Sequence, residues 1–178
     1  MSGIYLGLGG NLGAVGATFA AALHAFEADG LFRVQQCSRL WCSPAWGFEG
    51  PDFLNAVVAI ETDQSPRAVL EALLAYELRC GRVRQEGMGS RPIDLDLLAW
   101  GGLRCAEPGL ILPHPGTPSR RFVLEPLHDV APDLVLPGLG AVATHLAEQR
   151  LRDAQVWVLE DSADWRSWPM SPSSEQNA

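Results

Sequence analysis

Lysine is missing from this chain of 178 residues: all 13 basic side chains are arginine. Acidic residues outnumber them at 21, which leaves a net charge of −8 and argues against a protein that coats nucleic acid with a basic face. Cysteine is scarce. Cys37, Cys42, Cys80 and Cys105 include no CxxC pair and no histidine at zinc-finger spacing, so they read as small apolar residues in a reducing compartment. Long apolar runs are also lacking, and none approaches the roughly 20 residues of a membrane span. The first residues carry neither the basic start nor the apolar stretch of a signal peptide. These absences lead to the expectation of a cytoplasmic protein with neither a membrane nor a nucleic-acid partner.

What is present is an ordinary apolar content of 47 %, enough to bury a single core. Residues 1–160 read as one domain. Residues 161–178 are rich in Ser and Pro and are expected to form a disordered polar tail. Ile4–Leu8 reads as a strand that turns at Gly9-Gly10-Asn11, with Asn11 in position to cap the next helix. A dinucleotide fingerprint fails there, because after Gly7 and Gly9 the third required glycine falls on Leu12. Phe19, Ala22, Leu23 and Phe26 recur at helical spacing from Val15 until Gly30.

Residues 31–43 and 53–62 read as two strands around a Gly/Pro-rich loop that carries Trp46 and Phe48. Ser65-Pro66 starts a helix through Leu70, Leu73, Leu74, Glu77 and Leu78, and Gly81 ends it. Residues 140–150 suggest a last helix and 155–159 a last strand.

The informative stretch is Arg91-Pro92-Ile93-Asp94-Leu95-Asp96-Leu97-Leu98. Its alternation has the period of a strand, so Asp94 and Asp96 share one face while Ile93, Leu95 and Leu97 share the other. Alternation of this kind is commonest in a sheet with one wet face. Two carboxylates on a rigid strand are also a site for a hard divalent cation with phosphate oxygens. Arg82, Arg84 and Arg91 precede the pair, and His114, Arg120 and Arg121 come after it. Surface arginines are usually only solvated, but arginines beside paired carboxylates are arranged for a metal-bridged polyphosphate. Phe53 and Asn55 share a strand face as well. They read either as core with a satisfied amide or as a slot for a flat heterocycle, one ring to stack and one amide to read its edge.

Taken together, Tyr5-Leu6-Gly7-Leu8-Gly9-Gly10-Asn11, Phe53-Leu54-Asn55-Ala56, Gly81-Arg82-Val83-Arg84, the Arg91–Leu98 stretch, Pro113-His114-Pro115 and Arg121-Phe122-Val123-Leu124 resemble the 6-hydroxymethyl-7,8-dihydropterin pyrophosphokinase family. The likeness runs in unbroken order over residues 3–159. It implies an α+β ferredoxin-like sandwich, an antiparallel sheet with helices packed on it. It also implies transfer of the β,γ-pyrophosphate of ATP to the pterin hydroxymethyl group, with release of AMP, in folate biosynthesis.

Carried over by position, Asp94 and Asp96 would hold two Mg²⁺ ions with ATP. Arg82, Arg91, His114 and Arg120 would grip the transferring group, and Glu77 and Arg84 would help hold the nucleotide, with Leu97, Leu110 and Ile111 near the adenine. Phe53 and Phe122 would sandwich the pterin, Asn55 would read its edge, and Ser43, Pro44 and Trp46 would line its pocket. ATP and 6-hydroxymethyl-7,8-dihydropterin are the implied partners of a monomer.

Departures stand beside the likeness. Gly87 and Met88 replace the Arg and Trp usual in the loop before the Asp strand, Gln85 replaces a basic residue, and Gly109 stands where Arg or Lys is common. Methionine still covers a ring apolarly, but lost positive charge weakens stabilisation of the transferring phosphates. Two alternatives remain. One is a family member with weakened or lost transfer, acting as a pterin- or nucleotide-binding module. The other is an unrelated metal-dependent phosphohydrolase, for which His114 is the one evident base.

Overall fold

Strand β1 (Ile4–Gly10) runs through the middle of the sheet with Leu6 and Leu8 on one face and Tyr5, Gly7 and Gly9 on the other. The computed structural model describes residues 3–45, 47–81, 89–152 and 155–167. After β1 come α1 (Val15–Ala28), β2 (Arg33–Cys37), β3 (Trp41–Ser43), β4 (Phe53–Glu61), α2 (Pro66–Arg79) and β5 (Asp94–Trp100). A hairpin of β6 (Cys105–Glu107) and β7 (Leu110–Leu112) is next, then α3 (Arg121–Val130), β8 (Val135–Leu136), β9 (Gly140–Ala141), α4 (Val142–Arg152) and β10 (Trp157–Val158).

The main sheet has the order β10-β3-β4-β1-β5, with β2 also on β4, and every pairing is antiparallel. With β2 and β3 taken as one broken strand, β1 to β5 form a β-α-β-β-α-β unit. The first face of the sheet packs Leu6, Leu8, Val58, Ile60, Leu95 and Leu97 against Phe19, Leu23 and Phe26 of α1 and Val69 and Leu73 of α2. The second face packs Tyr5, Val57, Leu98 and Ala99 against Leu124 and Leu127 of α3 and Val142 and Leu146 of α4. A bulge in β5 opposite Tyr5 and Leu6 keeps both Leu98 and Ala99 on this second face.

Local chemistry explains the helix ends. Ser65 caps α2 by accepting from the Ala68 N–H at 3.2 Å, and Pro66 sits where no donor is needed. Helix α1 starts differently: its N-cap is Ala14, not Asn11, whose side chain is engaged elsewhere. Helix α3 passes through Pro126, which lacks the amide that would otherwise reach the Phe122 carbonyl. Burial of Leu124, Glu125, Pro126 and Leu127 in one continuous stretch offsets that loss.

Two expectations change. The single strand over residues 31–43 is divided, because Ser38 leaves the ladder to pair with Val57: its amide donates to the Val57 carbonyl and its hydroxyl accepts from the Val57 N–H, both at 2.9 Å. Residues 161–167 are packed rather than tail-like. Trp165 is fully buried edge-on against Phe19, with ring centroids 6.0 Å apart, and its indole N–H donates to the Ser38 carbonyl at 2.8 Å. One large apolar ring in a polar stretch is enough to anchor it. The expected tail beyond Ser167 lies outside the described residues. All four cysteines are unpaired, and burial pushes the Cys37 thiol up to about 11, which keeps it protonated at neutral pH.

Candidate active site

On the second face of the sheet, beside the α3 and α4 layer, the strands open into a cavity of about 380 Å³. Gly7 and Gly9 of β1 form its floor. A Cβ on Gly9 would stand 3.6 Å from Asn55 Oδ1 and 3.8 Å from the Cβ of Asp94, so small residues keep the floor open between these two groups. Asp94 and Asp96 of β5 both line the cavity, while Leu95 and Leu97 between and beyond them are buried in the opposite core. The two carboxylates are therefore held on one wall by the pleat of a strand whose other face is fixed by packing.

Arg91 lies just before this strand. Its guanidinium is 2.8 Å from the Asp94 carboxylate, donates to the Gly89 carbonyl at 3.2 Å and lies 5.2 Å from the centre of the Phe53 ring. It thus links the acidic wall to an aromatic one. Glu77, on α2, is 1 % exposed, and its carboxylate accepts the Leu95 N–H at 2.6 Å.

The aromatic end is built from β3, β4, α3 and the loop after β3. Phe53 and Phe122 line it together with Ser43, Pro44 and Phe48, and the Phe48 and Phe53 rings meet edge to face at 6.2 Å. Asn55 lines the same cavity and is buried. Its amide nitrogen donates to the Trp41 carbonyl at 3.2 Å and to the Ser43 hydroxyl at 3.0 Å. Both amide hydrogens are spent on the protein, and the carbonyl oxygen is what Asn55 offers the cavity.

His114, Arg120 and Val123 complete the lining. The backbone of His114 is tied to β5, its amide donating to the Leu98 carbonyl at 2.8 Å.

Asn11 closes the arrangement from the end of β1. Its amide nitrogen donates at 3.0 Å both to the Pro51 carbonyl and to the Ser90 hydroxyl, and its oxygen accepts the Arg91 N–H at 2.8 Å. One buried side chain thereby joins the aromatic loop to the segment that leads into the Asp strand. Gly10 beside it permits the approach, because a Cβ there would stand 2.5 Å from the Pro92 carbonyl oxygen.

Of the residues singled out in the sequence, the cavity gathers Ser43, Pro44, Phe53, Asn55, Arg91, Asp94, Asp96, His114, Arg120 and Phe122. Leu97 and Leu110 are buried in the first-face core and Ile111 is half exposed on the β6–β7 hairpin. Trp46, Arg82 and Arg84 lie outside the described residues. Phe48 was visible in the sequence only as a loop aromatic, and Val123 only as part of the Arg121-Phe122-Val123-Leu124 motif. Nothing local marked Asn11 as a tie between loops, since its partners are 40 and 79–80 residues away.

Comparison with known proteins agrees with this geometry. The family model for 7,8-dihydro-6-hydroxymethylpterin-pyrophosphokinase matches residues 5–132. A 2-amino-4-hydroxy-6-hydroxymethyldihydropteridine pyrophosphokinase of Methylorubrum extorquens is 43 % identical over 139 residues, covering 78 % of this chain and 88 % of that protein. The protein of the same name from Synechocystis is 38 % identical over 147 residues, covering 83 % of this chain and 75 % of its own length. Among solved structures, a Plasmodium falciparum HPPK-DHPS with pterin and p-hydrobenzoate superposes with a TM-score of 0.68 at 14 % identity. That match covers 88 % of this chain and 45 % of the longer one, and it establishes the ferredoxin-like α+β fold. The chain belongs to the 7,8-dihydro-6-hydroxymethylpterin-pyrophosphokinase family.

Proposed function

We propose a division of labour among the cavity residues for the reaction of this family. That reaction moves pyrophosphate from ATP to 6-hydroxymethyl-7,8-dihydropterin, yielding AMP and the pterin diphosphate, in folate biosynthesis. The observation that carries the reading is one cavity lined by Asp94 and Asp96 together with His114 and Arg120, and by Phe53, Phe122 and Asn55.

Phe53 and Phe122 stack on the two faces of the pterin, with Asn55 Oδ1 accepting from its edge and Ser43, Pro44 and Trp46 forming the surrounding wall. The hydroxymethyl group then points from the aromatic end toward the carboxylate pair. Arg82, Arg91, His114 and Arg120 hold the transferring phosphates, and Arg84, Glu77, Leu97, Leu110 and Ile111 belong to the nucleotide side. Glu77 acts there at one remove, through the strand it pins. Transfer of this kind requires alignment and charge neutralisation rather than a covalent nucleophile, and the cavity supplies donors from two walls.

Mg²⁺ fits the donor set. Asp94 and Asp96 are the acidic residues of the cavity lining, and no cluster of three or more His, Cys, Asp or Glu ligands forms among the described residues. A hard cation that takes one or two carboxylates and completes its sphere with phosphate oxygens and water matches such a site. Held by Asp94 and Asp96, two such ions would supply charge neutralisation along the ATP phosphates. We assign the protein to the cytoplasm as a monomer. No helix among the described residues is long and apolar enough to cross a membrane.

The test is AMP formation by the purified chain from ATP, with and without the pterin and with and without Mg²⁺. Release that requires both is the expected result. AMP formed without the pterin, or undiminished by a chelator, would overturn the proposal.

A further inference from the structure

Gly116 lies two residues after His114 and four before Arg120, in the turn that carries both to the cavity. Its φ of −78° and ψ of −10° suit any residue, so backbone conformation does not demand glycine here. What a side chain would change is the seat of Arg120: a Cβ at this position would stand 2.9 Å from Cζ and Nε of Arg120 and 3.1 Å from Cε1 of His114, so the flexible guanidinium would have to move. The guanidinium rests against the bare Cα of the turn, next to the imidazole.

The amide of Gly116 has a second effect. It lies 3.1 Å from Nδ1 of His114. A backbone N–H can only donate, so Nδ1 presents its lone pair, and the proton of the neutral ring is on Nε2. The backbone of His114 is fixed around this contact, with its N–H on the Leu98 carbonyl at 2.8 Å and its carbonyl accepting from the Thr117 N–H at 3.1 Å. Nδ1 faces the turn, and Nε2–H is left for the cavity that His114 lines.

We propose that Gly116 is a positioning residue for both groups: its N–H sets His114 as an Nε2–H donor, and its missing side chain seats the Arg120 guanidinium beside that donor. The proposal rests on the reading of His114 and Arg120 as the grip on the transferring phosphates. Its consequence is a pair of adjacent donors oriented before ATP arrives, which lowers the reorganisation the reaction must otherwise supply.

Two substitutions separate the two effects. Gly116→Ala keeps the N–H and adds the Cβ. Gly116→Pro also removes the N–H, at a φ that proline accepts. The first readout is nitrogen NMR of histidine-labelled, ligand-free protein in alkaline buffer, with the His114 signals identified by their loss in His114→Gln. Wild type and Gly116→Ala are expected to show a protonated Nε2 and a bare Nδ1, and Gly116→Pro a mixture of tautomers. The second readout is kinetic. With pterin affinity unchanged, kcat is expected to fall about tenfold in Gly116→Ala and on the order of a hundredfold in Gly116→Pro.

An Nδ1–H tautomer in the wild-type protein would overturn the assignment without reference to activity. Wild-type kcat in Gly116→Ala would overturn the steric half. Full turnover by both His114→Gln and Arg120→Ala would sink the phosphate-gripping roles and the functional half of the proposal with them, while the tautomer measured by NMR would stand.

Discussion

The carboxylate of Glu77, buried on α2, accepts the backbone N–H of Leu95 at 2.6 Å, so the helix holds β5 at the residue between Asp94 and Asp96. Glu77→Ala leaves that amide orphaned in the core, which costs about 1–3 kcal/mol, and opens a cavity besides. Glu77→Gln keeps an acceptor in place and is expected to recover more than half of the loss. The same pair of variants reports on catalysis: alanine should raise the Mg²⁺ concentration needed for half-maximal transfer, and glutamine much less. Urea unfolding and a Mg²⁺ titration of AMP formation check both points. Equal stability of the alanine and wild-type proteins would remove the pin from the argument.

Asp96→Ala is expected to behave in the opposite sense. The carboxylate lines an open cavity on the same wall as Asp94, two residues away. Loss of one carboxylate from the lining of an open cavity leaves the core packing intact, so the unfolding free energy should stay within about 0.5 kcal/mol of wild type. Transfer, however, should fall by several orders of magnitude, because one of the two carboxylates proposed to hold the metals is gone. Normal turnover by this variant would show that the carboxylate pair is not the metal site.

These two carboxylates also mark where the sequence was legible. The period of two in β5 put Asp94 and Asp96 on one face without any knowledge of the sheet, and the Ser65-Pro66 start of α2 needed only local capping chemistry. What stayed hidden depends on partners far along the chain. Ser38 breaks the strand by pairing with Val57, 19 residues on, and Trp165 anchors its polar stretch on Phe19 and Ser38. Helix α3 forms through Pro126 because burial outweighs propensity, and propensity was all the sequence offered. The same limit applies to Glu77: helical spacing predicts its helix but not the amide it meets across the packing interface.

Asn11 offers a sharper test of long-range positioning. Its side chain makes three hydrogen bonds, to Pro51, Ser90 and Arg91, and so couples the loop bearing Phe48 to the start of the Asp strand. Asn11→Ala forfeits all three, a loss of about 3 kcal/mol at typical net values of about 1 kcal/mol each. The proposed pterin wall includes that loop, so KM for the pterin should rise about tenfold while KM for ATP changes less. Asn11→Asp keeps the acceptor for the Arg91 N–H but loses both donors, and it should fall between the two. Steady-state kinetics with each substrate varied in turn decides the matter, and equal changes in both KM values would contradict the loop-specific role.

Glu125 gives the fold a pH dependence of known sign. It is 2 % exposed on α3, where its carboxylate accepts from Arg121 Nε at 2.9 Å and from Arg150 Nε and Nη2 at 2.9 and 2.5 Å. Burial alone would raise its pKa, but the hydrogen bonds from Arg150 and Arg121 prevail and hold the carboxyl below the ordinary 4.5. A carboxylate with a depressed folded-state pKa contributes stability that is fully present above the unfolded value and is lost as pH falls through the folded one. Glu125→Gln should therefore cost about 2 kcal/mol at neutral pH. That is less than the roughly 3–5 kcal/mol of a fully buried pair, because Arg150 is half exposed. The gap between the two proteins should narrow as the pH falls below 4.5, where wild type takes up the proton that glutamine imitates. Arg121 stands between Arg120 and Phe122, so the variant should also lose kcat at neutral pH, where its unfolding midpoint is lowered. Urea unfolding at a series of pH values measures the gap directly, and a constant difference from neutral to acid would show that Glu125 is not held charged by the two arginines.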